Sequence, residues 1–165
     1  MSEPTVGGKA PDFALETAEG PVKLADFKGK TLVLYFYPKD DTTGCTKEAQ
    51  EFSSLAPEFA KAGVALVGVS KDSVKSHAKF TAKYDLKLPL GSDPEGVVVE
   101  AYGSWVEKSL YGRKYMGIDR STFLIKDGLV RRTWQGEGSG PRRRGAGGGE
   151  GALIPERRVV AGAAG

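Results

Sequence analysis

Tyr35–Gln50 reads YFYPKDDTTGCTKEAQ, and its reading decides the fold. An apolar, aromatic strand runs into a polar turn. The turn delivers Cys45, the single cysteine of the chain, to the first turn of a helix. At such a position free backbone N–H groups and the positive end of the helix dipole both favour a thiolate. The plain alternative is a small buried hydrophobe, which is what most lone cysteines are. Thr42, three residues earlier, can turn its hydroxyl toward the sulfur or simply cap the helix. Pro38 removes a backbone donor and fixes the chain's entry, either walling the sulfur from solvent or ending the strand.

Outward from this stretch, Thr31–Tyr37 (TLVLYFY) is continuously apolar and β-prone, as expected of a central strand covered on both faces. Thr42 or Thr43 is positioned to cap the helix that follows. Its apolar residues Ala49, Phe52, Leu55, Ala56 and Phe59 fall on one face, Pro57 is expected to kink or break it, and Gly63 to end it. Val64–Ser70 reads as a second buried strand. Asp72 or Ser73 caps a helix to about Tyr84, with Val74, Ala78 and Phe80 as candidate core contacts.

Before the central strand, residues 1–11 read as a polar arm settling on the domain, and Asp12–Glu16 with Pro21–Leu24 as a short hairpin. After it, Gly96–Tyr102 reads as a short helix, and Ser121–Ile125 as a third strand. An Asp127-Gly128 turn joins that strand to Leu129–Trp134. The order β-α-β-α-β-β describes an α/β sandwich of thioredoxin-like layout.

At 165 residues and 39% hydrophobic content the chain suffices for one core. A net charge of +3 is too small to argue for a nucleic-acid partner. One cysteine excludes an internal disulfide, and with one histidine a Cys/His metal cage is excluded too. The start, MSEPTVGGKAPDF, has no apolar signal core, and no run reaches membrane-spanning length, so a reducing cytoplasm is the expected place. Gln135–Gly165 is different: its 31 residues hold 10 of the 23 glycines, together with Arg142, Arg143 and Arg144. Residues 1–134 therefore read as the globular domain and 135–165 as a low-complexity tail expected to be disordered.

Other chemistries fail on spacing. Gly29-Lys30-Thr31 resembles the end of a phosphate-binding loop, but Leu24 stands where its first glycine belongs. Gly136, Gly138 and Gly140 fail the dinucleotide pattern at Pro141. His77, the only histidine that could serve a Cys–His hydrolase, lies in a Lys/Ser-rich helix and is expected at the surface.

The spacing Pro38-xxx-Thr42-xx-Cys45 resembles the active-site pattern of the peroxiredoxins. GVSKDSVKSHAKF, SDPEGVVVEAYGSW and EKSLYGRKYMGIDRSTFLI extend the likeness to the bacterioferritin comigratory protein (peroxiredoxin Q) subfamily, over roughly residues 5–134. The resemblance implies a thioredoxin-like three-layer α/β/α sandwich. It also implies a thiol peroxidase that reduces hydrogen peroxide and organic hydroperoxides without a bound cofactor. Cys45 matches the peroxidatic cysteine, Thr42 the hydroxyl that bonds peroxide and thiolate, and Pro38 the shielding proline. Arg120 matches the arginine that stabilises the thiolate and polarises the peroxide, and Glu48 the glutamate that orients this arginine.

Three departures stand out. Many relatives of this type carry a resolving cysteine where this chain has Gln50, so the Cys45 sulfenic acid is expected to be resolved by an external thiol. Thioredoxin, glutaredoxin or a low-molecular-weight thiol are the reductant classes implied, with the protein a monomer or weak dimer. Thr43 replaces a usual proline, which loosens the loop. The tail replaces a covering amphipathic helix. Read one nucleotide onward with suitable codons, Gly136–Gly151 can spell such a helix, so a shifted frame is the expected origin, at a cost in stability. The rival reading is an impaired thioredoxin-like redox sensor or binding module, which would not turn over repeatedly with added thiol. Nucleic-acid binding through Arg142–Arg144 rests on three arginines without aromatic residues nearby, and would need strongly salt-dependent binding that is lost on deleting the tail.

Overall fold

The computed structural model describes residues 5–135. The strands β1 (Ala14–Thr17) and β2 (Gly20–Lys23) form the first hairpin, and a 3-10 turn at Leu24–Phe27 leads toward β3 (Thr31–Phe36). The helix α1 (Thr43–Lys61), strand β4 (Val64–Ser70), helix α2 (Val74–Tyr84), strand β5 (Leu90–Ser92) and short helix α3 (Val97–Ala101) follow. A second hairpin, β6 (Trp105–Leu110) and β7 (Arg113–Ile118), precedes β8 (Ser121–Lys126) and β9 (Leu129–Gln135). Among the described residues seven strands make one sheet in the order β2-β1-β5-β4-β3-β8-β9, while β6 and β7 pair with each other in a second.

At the centre β3 runs parallel to β4 and antiparallel to β8. Leu32 through Tyr37 are all buried, as a strand covered on both faces requires. Their side chains alternate between two cores. Val33, Tyr35 and Tyr37 pack with Cys45, Ala49, Phe52, Leu55 and Phe59 of α1 and Phe80 of α2. Leu32, Leu34 and Phe36 pack on the opposite face with Val98, Val99 and Tyr102 at α3. The result is a three-layer α/β/α sandwich of thioredoxin-like type. The arm before β1 settles along β9, where Gly7 donates to the Val130 carbonyl and Val130 to that of Gly8.

Four local expectations require correction. Pro57 does not break α1, which runs unbroken through it to Lys61. Packing of Leu55 and Phe59 on the sheet holds the helix on either side of the proline, outweighing its local cost of about 3 kcal/mol. On α2 the buried positions are His77 and Phe80, with Val74 half-buried and Ala78 exposed. His77 is thus a core residue, not a surface one: its Nδ1 lies 2.7 Å from Asp40 Oδ2 and its Nε2 3.0 Å from the Gly91 carbonyl oxygen. The β6–β7 hairpin was not foreseen, because its two-residue turn places Tyr111 at φ 52° where Asn or Gly is the usual signal. Ser73, one of the two expected caps, caps α2 by accepting from the Ser76 N–H. Gln135, taken as the first residue of the tail, ends β9; the rest of the expected tail and the expected loss of a covering helix lie outside the described residues.

Gly68 on β4 faces the Tyr35 ring, which stacks on Phe52 of α1 with centroids 4.6 Å apart. A Cβ at position 68 would stand 2.7 Å from the Tyr35 ring, and that ring is buried against Phe52. Gly68→Ala is therefore expected to lower the unfolding free energy by about 1–3 kcal/mol in a denaturant titration. An unchanged midpoint would mean that the ring has room to move.

Candidate active site

The sulfur is placed by two elements. Thr42 ends the loop after β3 in an extended conformation (φ −101°, ψ 160°) and stands at the N-cap of α1, its carbonyl accepting from the Thr46 N–H. Cys45 is then the third helical residue, buried to 2% exposure, with its thiol in the first turn where the helix dipole is positive. One turn on, Glu48 lies on the same helix face at i+3 and is also buried.

Arg120 comes from the far side of the sheet's connectivity. It immediately precedes Ser121, which pairs with Phe36 at the end of β3, so the β3–β8 register brings it beside the start of α1. Two bonds fix this corner: Asp119 N–H donates to the Ser104 carbonyl, and the hydroxyls of Ser104 and Ser121 lie 2.6 Å apart. The guanidinium forks. Nη1 donates to Glu48 Oε1 at 2.6 Å and Nη2 to Cys45 Sγ at 3.3 Å. Burial alone would lower the Arg120 pKa, but the Glu48 charge and the Cys45 sulfur outweigh it and raise it, so the side chain stays cationic. A fixed cation thus stands against a thiol in a largely desolvated corner, and Glu48 balances its charge.

Cys45, Glu48 and Arg120 are brought into direct contact. Thr42 and Pro38 stand at the mouth, both exposed. The Thr42 hydroxyl donates to the Lys39 carbonyl at 2.9 Å and not to the sulfur, where it was expected to bond. Gln50 is exposed on α1. Sequence reasoning missed Ser104 and Ser121, whose pairing across the sheet corner no local pattern signals.

A family model described as the AhpC/TSA family matches residues 6–133. The chain is a peroxiredoxin of this family. Peroxiredoxin Bcp of Bacillus subtilis is 47% identical over 132 residues, covering 79% of this chain and 84% of that one. Among solved structures, peroxiredoxin Q of Xanthomonas campestris matches at 45% identity with a TM-score of 0.71, over 74% of this chain and 79% of that one. A trapped intermediate/ligand complex of bacterioferritin comigratory protein from the same organism, solved for its alkyl peroxide reduction activity, matches at 44% identity with a TM-score of 0.71, over 74% of this chain and 80% of that one. The chain is accordingly an oxidoreductase of the thiol peroxidase class, with a peroxide as substrate and a thiol as reductant. Among the described residues no helix is long and apolar enough to cross a membrane.

In this peroxiredoxin Glu48 and Arg120 form an ion pair with side-chain exposures of 4% and 12%. Glu48→Ala leaves the guanidinium uncompensated, and a loss of about 2–4 kcal/mol in unfolding free energy is expected, together with slower oxidation of Cys45. Glu48→Gln, which keeps the acceptor and the volume, should lose less of both. Equal stability of Glu48→Ala and wild type would mean that water replaces the carboxylate at no cost.

Proposed function

We propose that Cys45 is the peroxidatic nucleophile, with Arg120 and Thr42 binding the peroxide, Glu48 orienting Arg120 and Pro38 shielding the sulfur. The observation that carries this reading is the forked guanidinium of Arg120, bonded at once to Cys45 Sγ and Glu48 Oε1. The thiolate attacks one oxygen of the peroxide in line with the O–O bond, an S–O bond forms, and the other oxygen leaves with the bonding pair. The leaving oxygen becomes water or an alcohol on taking up a proton. Its developing negative charge falls where the Arg120 cation and the Thr42 hydroxyl can meet it. Hydrogen peroxide and organic hydroperoxides both fit this scheme, since the recognised group is the O–O–H end.

The product is a Cys45 sulfenic acid. With no second cysteine in the chain, a thiol from outside attacks the sulfur and releases water, giving a mixed disulfide. A second thiol then frees Cys45 and carries the disulfide away. A thioredoxin-like protein, glutaredoxin or a small thiol can supply both steps. The reading carries with it a reducing compartment, the cytoplasm, and a monomer or weak dimer. Retention of the whole Cys45–Glu48–Arg120 set favours turnover over a passive redox sensor.

Reduced protein mixed with one equivalent of hydrogen peroxide should gain one oxygen by intact mass, with a fast fluorescence change from Trp105 and Trp134. Cys45→Ser should abolish both, and Arg120→Ala should slow oxidation by about 10²-fold or more. Added thiol should then trap a mixed disulfide and restore further turnovers. Peroxide consumption by Cys45→Ser would remove the cysteine from the mechanism.

A further inference from the structure

Outside the peroxide site, Asp40, Asp72 and His77 form a buried polar cluster, their ligand-type atoms within 4.8 Å of one another. These donors already serve one another. Asp40 Oδ1 accepts from the Tyr37 hydroxyl at 2.6 Å, and Oδ2 accepts from the Ser76 hydroxyl at 2.7 Å with His77 Nδ1 at 2.7 Å. The Asp40 N–H donates to Asp72 Oδ2 at 2.8 Å, and the Ser70 hydroxyl donates to that same oxygen. The cluster is therefore a closed hydrogen-bond network rather than an ion cage. What it holds is the backbone at Asp40, midway between Pro38 and Thr42.

The next residue strengthens the pattern. Asp41 sits in the left-handed region at φ 59°, which turns its carboxylate toward α2 as well. That carboxylate accepts from Lys83 Nζ and the Tyr84 hydroxyl, each at 2.8 Å. Two consecutive aspartates in the loop thus reach two turns of one helix. Asp41 and Lys83 are exposed and their pair contributes little, whereas Asp40 and His77 have side-chain exposures of 4% and 1%. We infer that Asp40, gripped by His77, is a positioning residue that presets the Pro38–Thr42 loop for peroxide, with α2 as the clamp. This rests on the assignment of Cys45, Thr42 and Arg120 given above.

The chemistry of His77 makes the grip specific. Both of its ring nitrogens face oxygen acceptors, Asp40 Oδ2 and the Gly91 carbonyl. A ring carrying two protons beside an ionised Asp40 satisfies every partner. A ring with one proton donates to Asp40 only in the tautomer that carries it on Nδ1, which leaves the Nε2 lone pair toward the Gly91 carbonyl. Burial alone would raise the Asp40 pKa, but hydrogen bonds from His77, Tyr37 and Ser76 outweigh it and lower it. Remove the Nδ1 donor and a buried carboxylate loses one of its hydrogen-bond donors. The loop then gains by moving outward to water, taking Pro38 and Thr42 with it.

Two near-isosteres separate positioning from packing. The amide nitrogen of His77→Asn stands near Nδ1 and can still donate to Asp40, while that of His77→Gln stands near Nε2 and reaches only the Gly91 carbonyl. For each, the second-order rate of Cys45 oxidation by hydrogen peroxide is compared with its rate of alkylation by iodoacetamide, which needs neither Thr42 nor Arg120 in register. His77→Gln is expected to lose about tenfold or more in the peroxide rate with alkylation unchanged or faster, and His77→Asn to stay within about threefold of wild type. Ser76→Ala, which removes one neutral donor from Asp40 at a half-buried position, should lower the peroxide rate by about two- to threefold and serves if a His77 variant does not fold. Equal peroxide rates in His77→Gln and His77→Asn, or parallel loss of both reactions, would overturn the positioning role, as would a wild-type rate in Ser76→Ala should His77→Gln not fold. A wild-type protein oxidised no faster than free cysteine would instead overturn the peroxidase assignment itself, and this inference with it.

Discussion

A strand buried on both faces and hydrogen-bonded on both edges is the constraint from which the rest follows. β3 can be satisfied only by neighbours on either side, and β4 and β8 supply them in opposite directions. The parallel neighbour obliges the chain to cross over through α1, which puts a helix start at the end of β3. The antiparallel neighbour begins at that same end, which brings Arg120 to it. The sulfur and its cation therefore meet because of how one strand is paired.

Around that meeting point the polar groups divide their work. Glu48 and Arg120 balance each other, so the cation stands beside Cys45 without a net buried charge. Asp40 and His77 form a second buried hydrogen-bonded pair, joining the loop after β3 to α2. Breaking either pair leaves a buried polar group without its partner. Both ties join α helices to loops, where backbone hydrogen bonding alone would leave the geometry free.

Much of this could be read from the sequence, and the limits have physical reasons. Val64–Ser70 matched its strand residue for residue, since a largely apolar run between Gly63 and the polar Lys71-Asp72 leaves little choice. Cys45, Glu48 and Arg120 were legible through the resemblance to a family, and the structure brings the three into contact. Their meeting could not have come from local pattern, because Arg120 lies 75 residues from Cys45. His77 was misread for the same reason. Its helix looks solvated in sequence, and its partners Asp40 and Gly91 lie 37 and 14 residues away. Pro57 shows the converse error, where a strong local rule yielded to packing on both sides of it. The second hairpin went unread because a tyrosine occupies a turn position that usually announces itself with asparagine.

The distance along the chain between Cys45 and Arg120 also sets an order of events during synthesis. A nascent chain that has emerged only as far as α3 already contains the thiol, its helix and Glu48, yet has no arginine to complete the corner. The corner closes when β8 takes its place against β3, late in the emergence of the domain. Until then Cys45 lacks the Arg120 partner that the proposed mechanism requires. On that proposal, reactivity toward peroxide waits for near-completion of the domain, and a half-made chain is spared oxidation at Cys45.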